Sequence, residues 1–267
     1  MAAVARVKGD RPLAGAGHSG TPSPFMAGSP PFRGFLLDAD NTIFDYDLAE
    51  RDALAGALAE AGVEPTPRVR DAYHVINDGL WRSFEQGAVT QEALKVERFR
   101  RLLAGQVPGS RADPSLLSRR YLELLAAQVH LLPHAAEALA DLAGRAALAL
   151  VTNGIPEVQR GRLGRSGLAP LFRAVVISGE VGIAKPDPRF FDLAIRALGL
   201  GADDVLVVGD APGTDIRGAR AAGMASCWVA AAGASWPVGE PGPDYTIRDL
   251  RGLSALAPAP APAPRFP

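Results

Sequence analysis

Residues 36–42 read Leu36-Leu37-Asp38-Ala39-Asp40-Asn41-Thr42. The apolar run that starts at Phe35 stops at Asp38, as a parallel strand buried on both faces does. Two aspartates one residue apart at such a point put a nucleophilic carboxylate and a second carboxylate at the mouth of a sheet. Further apolar runs follow at residues 146–151, 174–177 and 205–208, with a weaker one at 225–229. Helical patterns lie between them at 156–166, 188–198 and 214–222, each followed by a stop glycine (Gly167, Gly199, Gly223). Strands alternating with helices predict an α/β fold, a doubly wound parallel sheet with helices on both faces. Ligands of such sheets bind beyond the carboxyl ends of the strands. The polar motifs fall there: Thr152-Asn153-Gly154, Ala184-Lys185-Pro186, and Gly209-Asp210 with Asp215 beyond it. Singly, each has an ordinary reading as a turn or a solvated side chain. Four in this order, at the ends of alternating strands, point to one shared site.

The stretch from about 48 to 134 has a different pattern. It lacks a convincing buried strand and has helical periodicity over 49–61, 68–86, 91–103 and 115–129, with Gly or Pro between. This predicts a helical cap domain at 48–134, inserted between the first two strands of a core made of 32–47 and 135–256. Residues 1–31, rich in Gly, Ala, Pro and Ser, are expected to form a disordered leader. Residues 257–267, with their Ala-Pro repeats, read as an extended tail.

A chain of 267 residues with 48% apolar content can bury a sizeable core. A formal charge of −1 gives no footprint for a nucleic-acid polymer or an acidic membrane surface. No apolar stretch reaches bilayer-spanning length, and Gly, Pro and Ser interrupt the N-terminal region where a secretory signal would lie. The one cysteine, Cys227, rules out an internal disulfide framework and makes a cytoplasmic location the default. It sits in the apolar run Ala-Ser-Cys-Trp-Val and reads as a buried structural thiol.

The four motifs together resemble those of the haloacid dehalogenase-like (HAD) hydrolase superfamily, and within it the phosphatases. Superfamily members with a helical cap insert it at the place predicted here. The resemblance implies roles. Asp38 is the nucleophile, and Asp40 the general acid that becomes the general base. Thr152 donates its hydroxyl to a phosphoryl oxygen, and Lys185 neutralises charge on nucleophile and phosphoryl group. Mg²⁺ is implied as cofactor, held by Asp38, Asp210 and the backbone carbonyl of Asp40, with Asp215 beside it. The chemistry asks for such a set. Phosphate monoesters hydrolyse so slowly that stabilisation on the order of 20 kcal/mol is needed. A carboxylate nucleophile divides the reaction into two steps. A hard dication relieves the repulsion between two anions. Asp40 must carry a proton in the first step although a free Asp titrates near ~3.9, so burial and close negative charge are expected around it. Backbone amides near Asn153 and Gly154, leading into a helix, suit the same anion. Dehalogenases of this fold lack an acid at the second position, so Asp40 favours phosphoryl chemistry.

A closer likeness is to the bacterial pyrimidine 5′-nucleotidases of the YjjG/YfnB type. It rests on residues 38–47, 80–90, 152–154 and 176–186, and on Gln159-x-x-Arg162-Leu163. It implies a small-molecule phosphate ester as substrate, a nucleoside 5′-monophosphate. Phe44, Tyr46 and Trp81 are then candidates for stacking on a nucleobase. The spacing of Trp81 and Phe84, three apart on a helix, fits packing between helices equally well. Phe84 is read as core, and Trp81 stays open to either role. His74, His130 and His134 have no metal-ligand spacing and read as structural or surface residues. Two alternatives stand beside the nucleotidase: a phosphatase for a small sugar or carboxylic acid phosphate such as phosphoglycolate, and a binding protein that keeps the fold without turnover.

Overall fold

The structure is a computed structural model that describes residues 32–260. The expected leader at 1–31 and the tail beyond 260 lie outside the described residues. The start of the tail is docked: Ala257 is buried, and Arg145 Nη1 donates to the Pro258 carbonyl at 3.1 Å.

Strand β1 (Gly34–Leu37) leads into helices α1 (Tyr46–Glu60), α2 (Pro67–Glu85), α3 (Gln91–Gln106) and α4 (Pro114–Ala127). Helix α5 (Ala135–Ala143) returns the chain to β2 (Ala147–Thr152), followed by α6 (Pro156–Ser166), β3 (Ala174–Ile177), the short α7 (Ser178–Val181) and α8 (Pro188–Leu198). Then come β4 (Val205–Gly209), α9 (Arg217–Ala221), β5 (Ala225–Val229) and β6 (Tyr245–Ile247). The described strands form one sheet in the order β3-β2-β1-β4-β5-β6, and every neighbouring pair is parallel.

The apolar runs are strands because both of their faces are covered. In β1, Phe35 and Leu37 enter one cluster with Leu139, Leu142 and Ile247, while Leu36 enters the opposite one with Phe190, Phe191 and Ala194 of α8. β4 alternates in the same way, Leu206 and Val208 to one side and Val205 and Val207 to the other. The five strands expected from sequence are present, within a residue or so at each end. β6 is an addition, and so is α5. The segment read as a helix over 214–222 is a wide π-type turn, Pro212–Ile216, running into α9.

Helices α1 to α4 have a core of their own. Leu54, Leu58, Tyr73, Phe99, Leu102 and Tyr121 are fully buried in it. Their starts carry side-chain caps: Asp45 accepts from the Leu48 amide, Thr66 from Val69, Thr90 from Ala93, and Asp113 from Ser115 and Leu116. Ile155 and Val158, at the start of α6, pack into this helical core and tie it to the sheet layer.

Candidate active site

The sheet delivers its polar residues to one edge. Asp38 follows β1, and its amide continues the ladder by donating to the Val208 carbonyl at 2.9 Å. Thr152 ends β2, Asp210 follows β4, and Lys185 sits in the loop before α8. Lys185 Nζ donates to Asp38 Oδ1 at 2.5 Å, to Asp215 Oδ1 at 2.7 Å and to the Val151 carbonyl at 3.2 Å. Carboxylate oxygens of Asp38, Asp210 and Asp215 all lie within 4.8 Å of one another. Asp215 reaches this point because Gly209 leaves room: a Cβ there would sit 2.1 Å from Asp215 Oδ2.

Crowding three acids in a buried place has an electrostatic consequence. Burial raises the Asp38 carboxyl to about 7 against the pull of Lys185, and the charges of Asp215 and Asp40 add to the rise. Burial, and then the charges of Asp38 and Asp215, raise Asp210 to about 8. Burial disfavours the Lys185 ammonium, but Asp215 and Asp38 outweigh that and hold it well above its ordinary range. The pocket therefore has more acid than Lys185 balances. Hard oxygen donors with surplus negative charge are the set that suits Mg²⁺, so the residues fit the implied cofactor.

Asp40 has partners beyond those expected. Gln159 Nε2 donates to its Oδ2 at 2.7 Å, and Arg162 Nη2 donates to its Oδ1. Asp38 supplies the close negative charge expected from sequence, and the structure adds a fully buried guanidinium and an amide against the half-buried carboxylate. Gln159 and Arg162 are site residues that the sequence reading did not assign. Their signal was their spacing, three apart on α6, which shares one face. Gly154 admits Gln159, since a Cβ at Gly154 would lie 2.0 Å from Gln159 Nε2.

Asn153 and Gly154 line the cleft, and the Asn153 side chain and the Gly154 amide are engaged. The Asn153 side chain accepts from the Lys185 amide at 2.8 Å and donates to the Lys185 carbonyl at 2.9 Å, fastening the two loops together. The Gly154 amide donates to Thr152 Oγ1 at 3.0 Å, which leaves the Thr152 hydroxyl proton free to point elsewhere.

The aromatic candidates divide. Phe44 is buried and is not part of the cleft wall: the Ile43 and Phe44 amides both donate to the Ala39 carbonyl, and this tight turn folds Phe44 into the core under Arg162, 4.8 Å from its ring. A nucleobase cannot stack on it, and that expectation is corrected. Tyr46 and Trp81 do line the cleft, which measures about 530 Å³. Phe84 packs edge-on against Trp81 at 5.6 Å. His74 also lines the cleft, its side chain half exposed and its Nδ1 2.9 Å from Glu50 Oε2.

A doubly wound parallel sheet with an acidic, lysine-bridged pocket at its carboxyl edge defines a Rossmann-like α/β enzyme fold with a helical layer beside the site. The chain belongs to the haloacid dehalogenase-like hydrolase family, which it matches over residues 32–223. The crystal structure of the HAD-hydrolase YfnB from Bacillus subtilis, bound to magnesium, superposes with a TM-score of 0.78 at 33% identity, over 85% of this chain and 98% of that one. The pyrimidine 5′-nucleotidase YjjG of Escherichia coli is 33% identical over 222 residues, 83% of this chain and 96% of its own. The phosphoserine phosphatase of Thermus thermophilus is 48% identical over a shorter stretch of 122 residues, 45% of this chain and 49% of its own. The superfamily resemblance read from the motifs is thereby borne out. Among the described residues no helix is long and apolar enough to cross a membrane.

Proposed function

We propose that this protein is a phosphatase that hydrolyses nucleoside 5′-monophosphates through an aspartyl-phosphate on Asp38. The observation that carries the reading is the cluster of Asp38, Asp210 and Asp215 oxygens within 4.8 Å, bridged by Lys185. Asp38 attacks phosphorus, and the P–O bond to the leaving group breaks. Asp40 gives that oxygen a proton, then takes one from the water that cleaves the acyl phosphate. The Thr152 hydroxyl and Lys185 hold phosphoryl oxygens while charge builds on them. Arg162 and Gln159 fix the direction in which Asp40 points. Asp38 and Asp210, with the Asp40 carbonyl and with Asp215 behind them, would hold Mg²⁺. When bound, the ion supplies positive charge that offsets repulsion between carboxylate and phosphate. Helices α1–α4 form a cap over the cleft; the magnesium-bound YfnB structure is described as revealing interdomain movement, and a cap that opens and closes would gate water and substrate.

The likeness to YjjG over most of both chains supports a nucleotide. The shorter likeness to a phosphoserine phosphatase favours a second reading, a small carboxylic acid phosphate. A panel of phosphate esters, assayed for phosphate release with Mg²⁺ and with chelator, tests both. Nucleoside 5′-monophosphates should lead, chelator should stop release, and Asp38→Asn should abolish it. Release that continues unchanged in Asp38→Asn overturns the mechanism, and indifference to nucleotides overturns the substrate.

A further inference from the structure

The wall of the cleft away from the acids is made of helix residues that the chemistry above does not use. Tyr46 and Glu50 are one turn apart on α1. His74, Asn77 and Trp81 form a stripe on α2, and Arg98 comes from α3; all six line the same cleft as Asp38 and Lys185. Glu50 is buried and accepts from two donors, the Tyr46 hydroxyl at 3.1 Å and Asn77 Nδ2 at 2.9 Å, and His74 Nδ1 lies 2.9 Å from its other oxygen. Asn77 Oδ1 in turn accepts from Arg98 Nη1 at 3.2 Å, and Arg98 Nε donates to the Lys95 carbonyl at 3.2 Å.

One group in this network is left over. Arg98 has no exposed surface, its guanidinium lies 4.6 Å from the Tyr121 ring, and its Nη2 is buried without a hydrogen-bond partner among the described residues. Leaving such a donor unpaired in a fold is destabilising, and more so for a charged group. Arg98 is also one of the residues that line the cleft.

We propose that Arg98, supported by Asn77 and Glu50 and sharing the cleft wall with Trp81, is the subsite for the leaving group, and that it takes a neutral hydrogen-bond acceptor, a carbonyl of a nucleobase. The inference rests on the phosphatase reading for its orientation and goes beyond it by assigning residues. Two observations choose a neutral group over a second anion. The charge of Arg98 already has a counterpart in Glu50, to which it is linked through Asn77. Two donors converging on Glu50, with the His74 ring beside it, match a carboxylate, which accepts only; burial raises the Glu50 carboxyl, while His74, the Tyr46 hydrogen bond and Arg98 oppose the rise. Size agrees: about 530 Å³ is ample for a nucleoside monophosphate and loose around a two-carbon acid. Tyr46 joins the two ends. Its ring lies 5.8 Å from the Arg162 guanidinium that holds Asp40, and its hydroxyl is on Glu50.

The test compares UMP, ribose 5-phosphate and phosphoglycolate on the unmodified protein with Mg²⁺, and repeats the comparison with Arg98→Lys, which keeps the charge and loses the planar fork. Binding of the same three compounds to Asp38→Asn is measured by calorimetry, so that recognition is read without turnover. The expected result is a kcat/KM for UMP roughly 10- to 100-fold above that for ribose 5-phosphate, matched by tighter binding of UMP. Arg98→Lys should shrink that ratio by about tenfold or more, mostly through KM. Equal treatment of UMP and ribose 5-phosphate, or a ratio untouched by Arg98→Lys in a variant that melts cooperatively, overturns the assignment. A preference for phosphoglycolate overturns the choice of a neutral group. If no ester is hydrolysed and UMP still binds more tightly than ribose 5-phosphate, the subsite stands and the phosphatase reading falls.

Discussion

Replacing Lys185 with Met keeps the length of the side chain and deletes the cation between Asp38 and Asp215. The ammonium is 2.5 Å from one carboxylate and 2.7 Å from the other, all three groups are buried, and Asp210 adds a third acid within reach. At an effective dielectric of about 20, each contact of this kind represents roughly 4–6 kcal/mol of gross attraction. Most of that is offset by desolvation, and breaking a buried pair from one side costs about 3–5 kcal/mol net. In a folded unit of this size, each kcal/mol moves Tm by about 2–4 °C, so Lys185→Met should lower Tm by roughly 6–20 °C. The measurement is thermal unfolding in chelator, where no added cation can substitute. Mg²⁺ should return part of the loss. Acid should return part as well: below about 7, Asp38 and Asp210 are largely protonated, and the cation is then missed less. A variant that melts within about 2 °C of the parent in chelator at alkaline pH would show that Lys185 does not offset these acids, and the electrostatic account of the site would fall with it.

Three other outcomes follow from the same geometry. Gly154→Ala puts a Cβ where Gln159 Nε2 now lies, releasing one of the bonds that hold Asp40; kcat for phosphate release should fall by up to roughly 100-fold while Tm changes little. In the parent protein without metal, Asp38 and Asp210 titrate in the fold near 7 and 8 against an ordinary 3.8, so the stability they contribute is complete below that ordinary value and lost as pH rises through 7 and 8. A Tm in chelator that is no lower at about pH 9 than at about pH 6 would contradict this, and Mg²⁺ should flatten the profile. Cys227 is buried, and burial followed by the charge of Asp244 pushes its thiol up; iodoacetamide at about pH 8 should leave it unmodified until the chain is unfolded, as mass spectrometry would read.

The sheet was readable because each central strand is an uninterrupted apolar run, and only burial on both faces demands that. β6 was not, because Tyr245–Ile247 is three residues long and follows a segment of Pro and Gly that hides its start. Helix α5 was missed for a related reason. It begins after His134 in the left-handed region, with no side-chain cap, so the usual start signal is absent. The phosphoryl end of the site was legible because its acids lie directly after strands, where sequence position nearly fixes position in space. Phe44 misled for the same reason turned around: six residues from Asp38 is close in sequence, but the turn at Ala39–Phe44 reverses the chain and sends the ring inward. Arg162 lies 122 residues from Asp40, and no local pattern announces that pairing.

The two ends of the cleft are held by different means, and this decides how each can vary. Asp38, Thr152 and Asp210 stand at the ends of parallel strands whose ladders and double-sided packing leave little room for displacement, and the Asn153 side chain locks the Lys185 loop through two bonds to its backbone. A change of residue there alters the reaction itself. Glu50, Asn77, Trp81 and Arg98 stand on three helices whose packing depends on a separate apolar core, joined to the sheet layer through Ile155 and Val158. A substitution on the cleft face of α2 or α3 leaves the acids and Lys185 where they are, so the leaving group accepted can change without any change in how phosphorus is attacked. That division is also why the motifs identify the family while the substrate has to be read from Arg98 and its neighbours, whose relation to the acids exists only once the chain is folded.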